Sequence, residues 1–367
     1  MTPKTKTHYY YFNAFRLIAA LIVLTSHARC EMFATYSSLE VESQNLMTKL
    51  LFAMLSFTSH AMSIFFILSG FLVGGPAIEK AWRRLSSNAS ASESYVAAYN
   101  FMINRIVRIL PPLFIAIVFA IIVKINGGED FSYFDAFLNL LGLQGVIATD
   151  FGGVYWSIAY EVWFYVLIGS MLCIGANRWC KICGFVLFLI CGMIFIKLSV
   201  VWFFMLLLGV LLYFVKDKII LSKRQIFTCI VASLFLQGLV LMGADSHVAV
   251  LPLNGIVNLD MVKWCIAILM GLVMVSLCKK RPEGKYAMLI EKMGNRWAPM
   301  TYCLYITHFT TLELYKQLFG QIPKIDFIAI VVLILVCVVC LAIGTLFYNY
   351  IEVPMATVLK QKLYKNK

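Results

Sequence analysis

The chain has 367 residues, of which 62% are hydrophobic and 13% charged, with a formal net charge of +13 and a mean hydropathy of +0.86. Soluble globular domains carry about 25% charged residues, so this chain has too little polar surface to cover a water-soluble globule, and lipid has to solvate much of its exterior. Its basic residues do not interleave with base-stacking aromatics along a helix, which argues against a nucleic-acid binder.

Lys4 and Lys6 precede the first apolar run, at 14–30. No small-residue cleavage pattern follows, and the run carries Arg16 and His27, so it reads as a first membrane helix rather than a secretory signal. Arg16 and His27 are eleven residues apart. At about 100° per residue they share one helix face, about 16.5 Å apart along the axis, with the arginine near the cytoplasmic surface and the imidazole deep. Further apolar runs lie at 50–74, 101–124, 154–175, 182–197, 200–215, 226–243, 262–278, 298–318 and 327–349. Lys197 and Trp202 mark a tight interfacial turn between the fifth and sixth, and a short run at 136–147 reads as half-inserted or interfacial. The expectation is an all-α, polytopic transmembrane bundle of about ten helices with both termini cytoplasmic, forming one membrane domain over 1–367 without an appended soluble domain.

The charges support that topology. With a cytoplasmic N-terminus, 24 of the 31 Lys and Arg fall in inside segments, at the N-terminal tail, 76–108, 176–181, 216–225, 279–296 and the C-terminal tail. The same segments hold only five acids, against eleven in the outer segments. This bias keeps one phase through all ten runs, as the positive-inside rule requires. The stretch Ser86–Ser94, rich in Ser and Ala, reads as a mobile cytoplasmic loop.

Eleven cysteines, most of them in apolar runs, read as small apolar filler. Cys180–Cys183 and Cys337–Cys340 are CxxC pairs, but no further ligands stand near them, so neither a metal site nor a disulfide framework is implied.

Charged and titratable residues inside spans are costly and mark functional candidates. Arg16 and His27 offer a permanent cation and a titratable imidazole on one face. Arg105 and Arg108 open the third helix at i, i+3, ahead of Pro111 and Pro112 expected to distort it, and two guanidinium groups on one face suit phosphate oxygens or simple anchoring. Trp156, Ser157 and Glu161 lie early in the fourth helix; Trp156 doubles as an interfacial anchor, and Glu161 needs a partner or a raised pKa. His308 sits mid-span with Tyr302 and Tyr305 on roughly its side. Glu352 caps the last helix or pairs with a cytoplasmic arginine.

Six segments in order carry a resemblance: FRLIAALIVLTSH, FFILSGFLVG at 65–74, NRIVRILPPLF, YWSIAYEVWFY at 155–165, YCLYITH at 302–308 and YNYIEVP at 348–354. They resemble the acyltransferase-3 family of integral membrane acyltransferases, which includes bacterial O-acetyltransferases of surface polysaccharides. The likeness covers nearly the whole chain. Two departures stand out: the fourth-helix motif often has two adjacent acids where this chain has Glu161 and Val162, and some members carry an extracytoplasmic hydrolase-like domain.

The resemblance implies transfer of an acyl group, usually acetyl, from cytoplasmic acetyl-CoA to a hydroxyl of an envelope glycan or lipid-linked sugar at the bacterial inner membrane. Arg16, Arg105 and Arg108 would then bind the phosphates of the acyl-CoA, and His27 would act as general base or, alternatively, as acyl carrier. Glu161 and His308 would tune the site, with Trp156, Ser157, Tyr302 and Tyr305 lining it for substrate. Membrane lipids are further partners, and association into a homo-oligomer is left open. A proton-coupled transporter using His27, His308 and Glu161 is the rival reading, and a glycan export partner the second. The first calls for inverted repeats and paired mid-helix breaks, which this sequence lacks.

Overall fold

The computed structural model describes residues 9–86, 90–173, 178–244 and 259–365, and among these the chain forms helices and no strand. It is an all-helical membrane protein. Among the described residues, five helical stretches are long and apolar enough to cross a bilayer, at Leu46–Arg84, Ser92–Gly127, Arg178–Lys197, Asp260–Leu277 and Phe327–Leu363.

Helix α1 spans Phe12–Met32. The run at 50–74, expected as one span, is not one helix; it breaks beside Ser56, Thr58, Ser59 and His60. It divides into α2, Leu46–Met54, and α3, Thr58–Ser69. Side chains of α1 and the break itself satisfy the interrupted backbone: Ser26 donates to the Leu55 carbonyl at 2.5 Å, Arg29 donates to the Ser56 hydroxyl at 3.1 Å, and that hydroxyl donates to the Phe52 carbonyl at 2.7 Å. Helix α3 passes through one π-helical turn, Gly70–Gly74, into α4, Gly75–Ser86.

Helix α5, Ala91–Gly127, has 37 residues. At 1.5 Å per residue that is about 55 Å, well beyond the ~30 Å hydrocarbon layer. The excess lies at its start, where Ser90 and Glu93 form a capping box. The later part of the Ser86–Ser94 stretch is therefore the first turn of this helix rather than loop; residues 87–89 lie outside the described residues. The helix continues through Pro111 and Pro112 and ends at Gly128, whose φ of 65° closes it in the left-handed region.

Helix α6, Tyr133–Leu140, is short and follows the loop after α5. Then come α7 (Trp156–Leu172), α8 (Arg178–Lys197), α9 (Val200–Val215), α10 (Lys223–Ala244) and α11 (Leu259–Leu277). The tight turn expected near Lys197 and Trp202 is present at residues 198–199. Helix α12, Lys285–Trp297, precedes α13, Thr301–Phe319. Helix α14, Phe327–Phe347, continues through a π-helical turn, Tyr348–Glu352, into α15, Val353–Lys365.

The chain divides into two compact units. The first comprises Met1–Ile22, Phe57–Gly75 and Phe204–Pro299. Within it α3 and α9 touch backbone to backbone: a Cβ on Gly70 would collide with the Leu206 carbonyl, and one on Gly209 with the Ile67 carbonyl. Only glycine permits that approach. His60 of α3 is buried there, and its Nδ1 meets Gln237 Oε1 of α10 at 3.0 Å. The second unit comprises Val23–Ser56, Pro76–Phe203 and Met300–Lys367. It contains the end of α1, α5, α7 and α13, which carry most of the polar residues singled out by sequence.

Candidate active site

In the second unit, α13 presents three polar side chains at spacings of three: Tyr302, Tyr305 and His308. A helix turns 300° in three residues, so each step falls 60° short of a full turn. The three therefore fan out and reach three different elements instead of forming one row. The Tyr302 hydroxyl donates to the Ile109 carbonyl of α5, beside the proline pair, at 3.0 Å. The Tyr305 hydroxyl meets the Ser157 hydroxyl of α7 at 2.7 Å and the Val154 carbonyl at 2.8 Å. His308 reaches α1.

His308 is 1% exposed, and its Nε2 lies 3.1 Å from Nδ1 of His27. The rings stack with centroids 5.2 Å apart, and Phe309 stands edge-on to His27 at 5.6 Å. Proton positions follow from the partners. Nδ1 of His308 faces two backbone carbonyls, Tyr305 at 2.8 Å and Leu304 at 3.1 Å. Carbonyls only accept, so this nitrogen carries the proton and Nε2 of His308 is an acceptor. Nδ1 of His27 must then donate, which leaves the lone pair of His27 on Nε2. His27 itself is half-buried. The pair thus makes an imidazole base whose tautomer is held by a second, buried imidazole, itself oriented by main chain. Such an arrangement can take a proton from a hydroxyl presented at Nε2.

On the same unit, Arg105 lies over the rings of Phe101, at 5.7 Å, and Tyr165, at 5.3 Å. Its Nε is buried without a hydrogen-bond partner. One turn on, Arg108 is exposed and interacts electrostatically with Glu161, Tyr165 and Tyr302, and with Glu352 of the turn after α14. Glu161 accepts a short hydrogen bond from the Tyr165 hydroxyl, which supplies the partner its position demanded. Glu352 is buried and faces the Cys303 thiol at 3.1 Å. Two guanidinium groups thus share one face of α5, one of them with an unused donor, and two carboxylates on neighbouring elements offset part of their charge. Trp156 packs against Trp202, with centroids 5.4 Å apart, and against Tyr160 at 6.1 Å. Arg16, on the first turns of α1, belongs to the first unit.

Sequence reasoning missed Asp150 and Gly153, which prepare the start of α7. Asp150 accepts from the backbone N–H groups of Tyr155, at 3.0 Å, and Trp156, at 3.1 Å. Burial pushes its carboxyl above the ordinary aspartate range, against the pull of these and two further backbone donors, Gly152 and Gly153. Gly153 has a φ of 69°, and a Cβ there would run into the Phe309 ring, the ring that stands against His27. An acid followed by paired glycines ahead of an apolar run, DFGG, is a signal of a helix start that could have found both. The buried Tyr155 hydroxyl ties this corner to α13, donating to the Ile306 carbonyl at 3.1 Å.

A family model described as an acyltransferase domain matches residues 9–348 of the chain. No curated protein and no solved structure gives a match.

Proposed function

We propose, from the premise that the chain belongs to the acyltransferase-3 family of membrane acyltransferases, that it moves an acetyl group from cytoplasmic acetyl-CoA to a sugar hydroxyl of an envelope glycan or lipid-linked sugar. The family gives acyl transfer; the donor, the acceptor, a bacterial inner membrane and cytoplasmic termini are our reading. The single observation behind it is the hydrogen-bonded pair His27–His308.

In this reading Nε2 of His27 accepts the acceptor's hydroxyl proton as the oxygen attacks the thioester carbonyl. The carbon–sulfur bond breaks, and the departing thiolate takes that proton back from His27, so protons balance within one turnover. His308 acts through His27: the imidazolium formed on His27 donates from Nδ1 to His308 more strongly than the neutral ring does. The donor set fits a polyanion. Arg105, with its unused Nε, and exposed Arg108 suit the phosphates of the acyl-CoA. Glu161 and Glu352 limit how much positive charge the arginines leave uncompensated, and Glu161 thereby positions Arg108. Ser157 and Tyr305, locked to each other, and Trp156 and Tyr302 form the neighbouring walls.

The test is His27→Ala in membrane vesicles of known orientation, supplied with labelled acetyl-CoA from the cytoplasmic face. Label should no longer reach glycan while CoA analogues still bind. Transfer at the parental rate by this variant would eliminate His27 as base. Exchange of labelled CoA into acetyl-CoA without acceptor would instead point to an acyl-His27 intermediate.

A further inference from the structure

Helix α12 has three distinct faces. It connects α11, which ends at Leu277, with α13, which begins at Thr301. The segment 279–296 carries six Lys and Arg and two acids. One face packs on the first unit. Glu291 is buried and accepts from the Tyr11 backbone N–H at 2.7 Å, Asn295 accepts from the Asn13 side chain at 2.7 Å, and Gly294 leaves no room for a side chain against Ala14. These contacts fix the helix's rotation about its axis.

That rotation turns a second face outward. Tyr286, Leu289, Ile290, Met293 and Trp297 are all exposed, Tyr286 by 80%. At 100° per residue they form a stripe about 100° wide. A third face borders the stripe: Lys285, Lys292 and Arg296, at i, i+7 and i+11, form a single row along one edge. Among the described residues none of the three forms an ion pair. An apolar stripe ending in two interfacial aromatics, with a cation row along its edge, matches the layering of a membrane surface, where acyl chains lie under phosphates.

We propose that α12 is an interfacial helix that binds anionic phospholipid. The stripe enters the boundary between acyl chains and headgroups, and Lys285, Lys292 and Arg296 hold headgroup phosphates. The row is wholly cationic and continuous with the stripe, which favours an anionic lipid over a second copy of this chain, whose matching face would repel it. The inference does not depend on the acyl-transfer reading, and its readouts do not involve catalysis.

The experiment uses the full chain in nanodiscs of phosphatidylcholine with or without phosphatidylglycerol. Trp297 is isolated as the difference between the parent and Trp297→Phe. Lipids brominated high on the acyl chain should quench it, and aqueous acrylamide should not. Native mass spectrometry should find phosphatidylglycerol retained by the parent. In Lys285→Gln, Lys292→Gln and Arg296→Gln, all exposed changes, its affinity should fall about fivefold per cation at low salt, on the order of 1 kcal/mol each. Acrylamide quenching of Trp297 without bromolipid quenching would overturn the proposal, as would shielding from both in discs holding two copies. Equal phosphatidylglycerol retention by the triple variant would reduce the bound lipid to an unspecific annulus and likewise overturn it.

Discussion

His308→Leu probes the imidazole pair directly. Leucine keeps bulk in a site that is 1% exposed and removes the acceptor for Nδ1–H of His27, together with the Nδ1–H that faces the Tyr305 and Leu304 carbonyls. In the resting enzyme that bond joins two neutral groups and is worth about 1 kcal/mol; when His27 holds the acceptor's proton it is charge-assisted and worth about 1.5–3 kcal/mol. Only the increase between the two states accelerates the reaction, about 0.5–2 kcal/mol. This predicts a kcat lower by roughly 2- to 30-fold at about 1.4 kcal/mol per decade. His27→Ala loses the base itself, roughly 10²- to 10⁴-fold. Because His308 acts only through His27, the double variant should be no slower than His27→Ala alone. The assay is thiol release from acetyl-CoA in reconstituted vesicles supplied with an envelope acceptor fraction, with folding checked by thermal stability. Full activity in His308→Leu, or multiplied losses in the double variant, would refute the coupling.

Gly153→Ala introduces a Cβ at a φ of 69° and against the Phe309 ring. Because that ring abuts His27, activity should fall by more than the loss of folded protein accounts for, as measured by kcat per folded enzyme. Gly209→Ala places a methyl on the Ile67 carbonyl and should destabilise the first unit by about 1–3 kcal/mol, read as a lower thermal midpoint in detergent. Gly238, with open space around it, is the control and should tolerate alanine. Glu129 lies just beyond α5, where hydrogen bonding to Lys124 at 2.8 Å holds its carboxyl below the ordinary glutamate range, and it accepts from Gln317 of α13 at 3.1 Å. A depressed carboxyl stabilises the fold above its unfolded pKa and ceases to do so as pH falls through the folded value. Hydrogen exchange at the end of α13 should therefore rise on acidification below the glutamate range, and Glu129→Gln should abolish that dependence.

Much of the helix plan was legible. Runs such as 200–215 and 327–349 correspond to α9 and α14 within two residues, because an apolar stretch of span length has no alternative to helix in lipid. Where the reading failed, the deciding contacts were remote in some places and local in others. The break at residues 55–57 lies beside Ser56, Thr58, Ser59 and His60 in a run that reads as one span, and is stabilised by Ser26 and Arg29 of another helix. The early start of α5 rests on a local capping box that polar composition disguised as loop. Glu161 and Arg108 were both marked as costly charges, but their electrostatic pairing across α7 and α5 could not be read from spacing.

The sequence by itself determined that this chain lives in lipid, that it is built from helices, and that a short list of polar side chains stands where hydrocarbon penalises them. Those conclusions need only transfer free energies and periodicity, which each residue carries with it. The tertiary structure alone decided which of those side chains meet. His27 and His308 are 281 positions apart, and only the packing of α1 against α13 brings their nitrogens to 3.1 Å. The direction of that hydrogen bond, and so the nitrogen of His27 left free to act as a base, depends in turn on two carbonyls in the turn preceding His308.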